Sequence, residues 1–159
     1  MIDFDTAFRA LSSVGVEFIV VGGTAATIHG SARLTRDLDI VYRRTPDNLR
    51  RLLAALSPHH PYLRGAPPGL PFRWDEDTLK RGLNFTLTTS LGDIDLLGEV
   101  AGGGTYDELL PHCTAVKVFG AECLCPNLET LIRLKRAAGR PKDLEAVAEL
   151  EMLREEKDG

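Results

Sequence analysis

The stretch from Val20 to Val41, VVGGTAATIHGSARLTRDLDIV, constrains the chain most. An apolar strand runs into Gly22-Gly23, a short alanine-rich segment follows, and a second strand returns carrying Asp37 and Asp39. Side chains alternate along a strand, so Asp37 and Asp39 share one face while Leu38 and Ile40 take the other. Two carboxylates about 7 Å apart, two strand rises, repel unless water or a cation screens them. A divalent metal is the natural partner. An Asp-x-Asp pair also occurs on solvated strand edges, but Leu38, Ile40 and Val41 mark this strand as internal. Glycines let a backbone approach a phosphate closely, and a helix starting after them aims free N–H groups at an anion.

The flanking segments read as alternating helices and strands. Phe4, Ala7, Phe8 and Leu11 recur at helical spacing within Met1–Gly15, and Val16–Val21 is the first strand. Thr45-Pro46 opens a helix with Leu49, Leu52, Leu53 and Leu56 as its buried stripe. Pro58–Trp74 is an irregular surface excursion holding five prolines, with Phe72 and Trp74 either anchoring it or stacking on a base. Asp75–Arg81 is a short helix. Leu83–Thr89 and Asp93–Leu97 form a hairpin across Ser90-Leu91-Gly92, which puts Asp93 and Asp95 on one face. A carboxylate there, beside Asp37 and Asp39, completes oxygen-ligand sites for hard cations.

Gly102-Gly103-Gly104 leads to a short helix with Thr105 and Glu108 at capping-box spacing. Ala115–Phe119 and Ala121–Cys125 pair across Gly120, Asn127 caps the next helix, and Arg140-Pro141-Lys142-Asp143 starts the last. In that helix Leu144, Val147, Ala148 and Leu150 are expected on the apolar face.

Together Gly22-Gly23 at a strand end and Asp37-Leu38-Asp39 resemble the nucleotidyltransferase superfamily that includes DNA polymerase β. Gly23 stands where many members have serine, with Thr24 or Ser31 as substitutes for its phosphate contact. The run Gly30-Ser31-Ala32-Arg33-Leu34-Thr35-Arg36 resembles the branch with toxin-antitoxin and abortive-infection nucleotidyltransferases. The resemblance implies an α/β (α+β) fold, a mixed sheet with helices mainly on one face and C-terminal helices. It implies Asp37, Asp39 and Asp95 as catalytic metal ligands, with Asp93 in reserve, and Asp95 as general base. Two Mg²⁺ ions, or Mn²⁺, are the expected cofactors, with ATP or another nucleoside triphosphate as donor. Gly22 and Gly23 admit the triphosphate, Lys135 contacts phosphate, and Asp143 orients Lys135 or a substrate group. A basic helix end followed by an acidic helix start explains Lys135 and Asp143 equally well.

Composition narrows the classes further. With 43% hydrophobic and 26% charged residues in 159, the chain suits one globular domain, 1–153, followed by a charged, frayed tail at 154–159. A formal charge of −4 weighs against a broad nucleic-acid surface. Arg43, Arg44, Arg50 and Arg51 form either a solvated face or a positive rim. Cys113, Cys123 and Cys125 suggest a reducing compartment, and their spacing next to His112 is too tight for a structural zinc site. No stretch suits a membrane span or secretory signal, so a cytoplasmic location is expected.

The expected activity is transfer of a nucleoside monophosphate to a hydroxyl of a protein, an RNA or a small molecule, with a toxin-antitoxin partner chain among the candidate partners. A catalytically silent antitoxin-like nucleotide or RNA regulator, and a structural subunit of an oligomer using the proline-rich loop, are the alternatives.

Overall fold

The computed structural model describes residues 2–158. Met1, expected within the first helix, and Gly159, at the end of the charged tail, lie outside the described residues. Helix α1 (Phe4–Ser13) starts where the Asp3 carboxylate accepts the Thr6 N–H at 3.1 Å, and it buries Ala7, Phe8 and Leu11. Strand β1 (Phe18–Val21) is two residues shorter than expected, and helix α2 (Gly22–Ile28) begins on the glycine pair itself. Strand β2 (Leu38–Tyr42) starts one residue after Asp37. Helix α3 (Pro46–Leu56) has the expected Thr45 cap and proline start, and buries Leu49, Leu52 and Leu56.

The proline-rich excursion contains a short edge strand, β3 (Tyr62–Leu63). Trp74 anchors its end by donating its indole N–H to the Leu53 carbonyl at 3.1 Å, and Phe72 sits edge-on to Tyr62. Both aromatic rings pack against the core. Helix α4 (Glu76–Arg81) follows, then the hairpin β4 (Phe85–Thr89) and β5 (Gly92–Leu97). Strands β6 (Glu99–Val100) and β7 (Gly104–Thr105) make a small ribbon that the glycine run did not suggest. Beyond it come α5 (Tyr106–Leu109) with its capping box, β8 (Cys113–Val118), β9 (Ala121–Pro126), α6 (Leu128–Ala138) and α7 (Pro141–Asp158).

The fold is a mixed α/β arrangement around a seven-stranded sheet of order β3-β4-β5-β2-β1-β9-β8. Strands β1 and β2 pair antiparallel, whereas β2–β5 and β1–β9 are parallel. Parallel neighbours need long crossovers, and α3 and α4 lie in the one joining β2 to β5. The two faces are covered unequally. Phe18, Val20, Leu38, Ile40 and Ile94 enter a large core with α1 and α3. Ile19, Val21 and Val41 face the other way, into a small cluster completed by Tyr106, Leu109 and Leu134. By strand alternation Asp39, two residues before Val41, belongs to this thinly covered face.

Two expectations for α7 change. Leu144 and Ala148 are exposed, and the helix turns Asp143, Ala146, Val147 and Leu150 inward. Its rotation places Asp143 inside, against Lys135 and beneath the exposed Arg140. Residues 154–158, read as a frayed tail, continue the helix through Asp158. No helix among the described residues is long and apolar enough to cross a membrane.

One buried polar residue ties the large core's rim together. Asn48, fully buried on α3, donates to the Glu17 and Arg43 carbonyls at 3.0 and 2.8 Å and accepts the Glu17 N–H at 2.7 Å. It thereby locks the turn entering β1 to the turn leaving β2. Asn48→Ala is expected to cost about 2–4 kcal/mol, because the Glu17 N–H and the Arg43 carbonyl lose their partner at once and the Glu17 carbonyl is left with the Arg43 N–H alone. Urea denaturation of both proteins measures this, and a loss under about 1 kcal/mol would show that water replaces the amide.

Candidate functional site

The site begins with a steric demand at the end of β1. Gly22 has φ +66°, a left-handed conformation, and a Cβ placed on it would lie 2.1 Å from Asp39 Oδ2. The side-chain space at Gly22 is therefore filled by the carboxylate of the neighbouring strand. A Cβ on Gly23 would lie 2.7 Å from Thr35 Oγ1. Both glycines are required by the segment that returns from α2.

Asp39 and Asp95 are register partners on the parallel strands β2 and β5. Strand spacing puts such a pair about 5 Å apart, where two full charges repel by about 3 kcal/mol at an effective dielectric near 20. That exceeds the roughly 1 kcal/mol of an ordinary hydrogen bond. Burial first, then the Asp95 carboxylate and the charge of Asp37, push the Asp39 carboxyl up to about 7, with Lys135 opposing them. Asp39 Oδ1 is buried and accepts no hydrogen bond from the described residues.

The expected trio does not gather around one point. Asp37, half-exposed, and Asp95 and Asp93 are instead drawn to Arg64, which follows β3. Its guanidinium nitrogens lie 3.9 Å from Asp37 Oδ2, 3.3 Å from Asp93 Oδ2 and 2.8 Å from Asp95 Oδ1. The Asp95 contact lies off the N–H direction, so Asp95 Oδ1, like Asp39 Oδ1, lacks a directed hydrogen bond. Among the described residues, no three His, Cys, Asp or Glu side chains converge on a common metal position. Asp39 Oδ1, which has no partner, and the Asp95 oxygen that Arg64 does not contact still suit a hard cation, since Mg²⁺ is usually held by one or two carboxylates and completes its shell with water and phosphate.

Beside Asp39 a cleft of about 230 Å³ opens, bounded by Gly23, Asp37, Lys135, Arg140 and Asp143. Asp143 is only 1% exposed. It accepts from Arg140 Nε at 2.6 Å and from the Arg140 backbone N–H at 3.2 Å, and lies 3.7 Å from Lys135 Nζ. Burial alone would raise its pKa, but the Arg140 hydrogen bond and charge, with Lys135, hold it below its ordinary value. Lys135, its side chain 14% exposed, is shifted down by burial, which Asp143 and Asp39 resist. Arg33, Arg36 and Lys142 extend the positive wall.

Of the remaining candidates, Ser31 borders the cleft, but its hydroxyl donates to Glu149 Oε1 at 2.5 Å and accepts from the Arg33 N–H. Thr24 is buried and directs its hydroxyl to the Asp37 carbonyl at 3.4 Å, away from the cleft. The arginines around α3 are largely matched by acids: Arg43 pairs with Glu17 and Asp107, Arg50 with Asp47, and Arg51 with Glu17, while Arg44 lies over the Tyr42 ring. Cys123 and Cys125 are buried thiols pushed up to about 11 and 12, by burial above all. The sequence pointed to neither Arg64 nor the role of Arg140. Arg64 sits between Leu63 and Gly65 in an aperiodic segment, and nothing local pairs it with residues 29 or 31 positions later.

Two outcomes follow from this packing. Gly22→Ala is expected to cost about 2–5 kcal/mol in urea denaturation, from left-handed strain plus collision with Asp39. Between about pH 4 and pH 7 the native state holds an Asp39 proton that the unfolded chain has released, so this group removes stability as pH rises through that window. In EDTA, Asp39→Asn should therefore flatten the fall in Tm from pH 5 to 8 and exceed wild type at pH 8. An unchanged pH slope would place the shifted proton elsewhere.

No family model and no curated protein matches this chain.

Proposed function

We propose that the chain is a divalent-metal-dependent nucleotidyltransferase that moves a nucleoside monophosphate from a triphosphate to an acceptor hydroxyl. One observation carries this reading: Asp39, crowded by its register partner Asp95, borders a cleft whose other wall is Lys135 and Arg140 fixed on Asp143. Oxygen ligands beside fixed cations are what phosphoryl-type transfer asks for, since its catalysis is mainly alignment and charge neutralisation. The resemblance of Gly22-Gly23 and Asp37-Leu38-Asp39 to nucleotidyltransferases points the same way.

In this reading Asp39 and Asp95 hold the cation, Mg²⁺ or Mn²⁺, which would supply charge neutralisation at the phosphates and activate the acceptor hydroxyl. Lys135 and Arg140 bind phosphate oxygens, and Asp143 positions both. Asp95 takes the acceptor proton. The acceptor class, whether protein side chain, RNA end or small molecule, is set by surfaces beyond the cleft, and a partner chain is one source of them.

A second reading, a nucleotide-binding regulator without turnover, draws on Arg64, whose single positive charge already sits among Asp37, Asp93 and Asp95. Calorimetric titration with each of the four ribonucleoside triphosphates, with and without Mg²⁺, separates these readings from a structural role. Mg²⁺-dependent binding that disappears in Asp39→Asn supports a nucleotide site, and no binding by folded protein overturns it. Given an acceptor, Asp39→Asn should lower turnover by about 10²-fold or more. Lys135→Met should weaken triphosphate binding about 10- to 100-fold, the worth of a charge-assisted hydrogen bond. Nucleotide bound without any transfer, across protein and RNA acceptors, would favour the regulator.

A further inference from the structure

Arg64 is fixed from two sides. Its backbone N–H donates to the Thr86 carbonyl at 3.0 Å, extending the β3–β4 pairing, and one guanidinium nitrogen donates to the Leu87 carbonyl at 2.8 Å. That same nitrogen also lies beside Asp95, while the other two face Asp37 and Asp93, and the side chain is about three-quarters covered, at 26% exposure. A guanidinium is charged at every accessible pH, so this positive charge is permanent.

Its position matters for how many ions the site can take. Paired ions in two-metal phosphoryl-transfer sites lie about 3.5–4 Å apart and share ligands. With one ion on Asp39 and Asp95, a second sharing Asp95 would need the flank where the Arg64 nitrogen stands 2.8 Å from Asp95 Oδ1. Charge acts in the same direction: a second dication on that flank would meet the permanent positive charge of Arg64 at close range.

We propose that Arg64 is the built-in second cation of the site, so that one divalent ion, held by Asp39 and Asp95, serves where two were expected. This rests on the nucleotidyl-transfer reading and refines its metal requirement. A guanidinium neutralises charge and donates hydrogen bonds but is no Lewis acid, so Arg64 replaces an ion only in charge. It is a positioning and neutralising residue for the carboxylates it touches.

The test counts ions in the full-length protein with Mn²⁺ and the non-hydrolysable α,β-methylene analogue of ATP. Electron paramagnetic resonance distinguishes a lone Mn²⁺ from a spin-coupled pair a few ångströms apart. The wild type should show one uncoupled Mn²⁺ per chain. Arg64→Met, which keeps the stem and loses the charge, should show a coupled pair and bind its first Mn²⁺ at least about tenfold more tightly. Arg64→Lys should return the count to one. A coupled pair in the wild type overturns the inference while leaving nucleotidyl transfer standing, as does a single ion of unchanged affinity in Arg64→Met. Mn²⁺ bound by none of the three folded proteins overturns both. The wild-type count decides by itself if Arg64→Met does not fold.

Discussion

Two carboxylates forced side by side by a parallel strand pairing set the terms for everything around them. Asp39 and Asp95 are opposite one another in the β2–β5 register, and that register cannot slip by one residue without turning Leu38, Ile40, Ile94 and Leu96 out of the core. The hydrophobic core therefore holds the repulsion in place. Each neighbour of the pair can be read as an answer to it: Gly22 gives the Asp39 carboxylate room, Arg64 supplies charge to Asp95, and Lys135 supplies charge to Asp39. The answer is incomplete, because an oxygen of each carboxylate stays buried without a directed hydrogen bond.

The unequal faces of the sheet explain why this strain lies at a cleft rather than in the interior. Helices α1 and α3 close one face with large apolar side chains, and the strand residues pointing there are apolar in turn. The other face has only the small cluster around Tyr106, Leu109 and Leu134. Beyond that cluster the alternation of β2 and β5 brings up acids in place of valine and leucine. Burying them under another helix would remove water from several charges at several kcal/mol each, so the fold leaves this end of the sheet open. An open sheet end lined with anions, facing a wall of cations, is the consequence.

Much of the fold was legible because its signals are local. The Thr45, Thr105 and Asn127 side chains each cap the helix that follows them, as their spacing predicts, and caps and short turns depend on residues three or four apart. The pairing of Asp37 with Asp39, and of Asp93 with Asp95, needed only the period of a strand. What stayed hidden is non-local. Asn48 bridges residues 17 and 43 and Arg64 reaches residues 37, 93 and 95, and no pattern within a window of sequence reports either. The exposure of Leu144 and Ala148 belongs to the same class, since apolar spacing allowed more than one rotation of α7 and the one adopted buries the ion pair of Asp143 and Lys135. Ser31 was a candidate phosphate contact only by resemblance, and its hydroxyl is held by Glu149, 118 residues away.

That ion pair bears on the two accounts of Lys135 and Asp143. If the residues merely matched charges to helix ends, an exposed placement would suffice, because the dipole contribution of about 0.3–1 kcal/mol is available at the surface. Instead Asp143 is almost completely covered and Lys135 nearly so. Covering two charges costs several kcal/mol per ion, and the attraction between them at 3.7 Å repays that only with further partners, which Arg140 provides from three nitrogens to Asp143 alone. Lys135 gains no equivalent set; its remaining attraction is to Asp39 across the cleft. An ammonium held in place by a buried aspartate, half-satisfied and aimed along a cleft, is poorly explained by stability. It is well explained by an anionic group that enters the cleft and completes its hydrogen bonds.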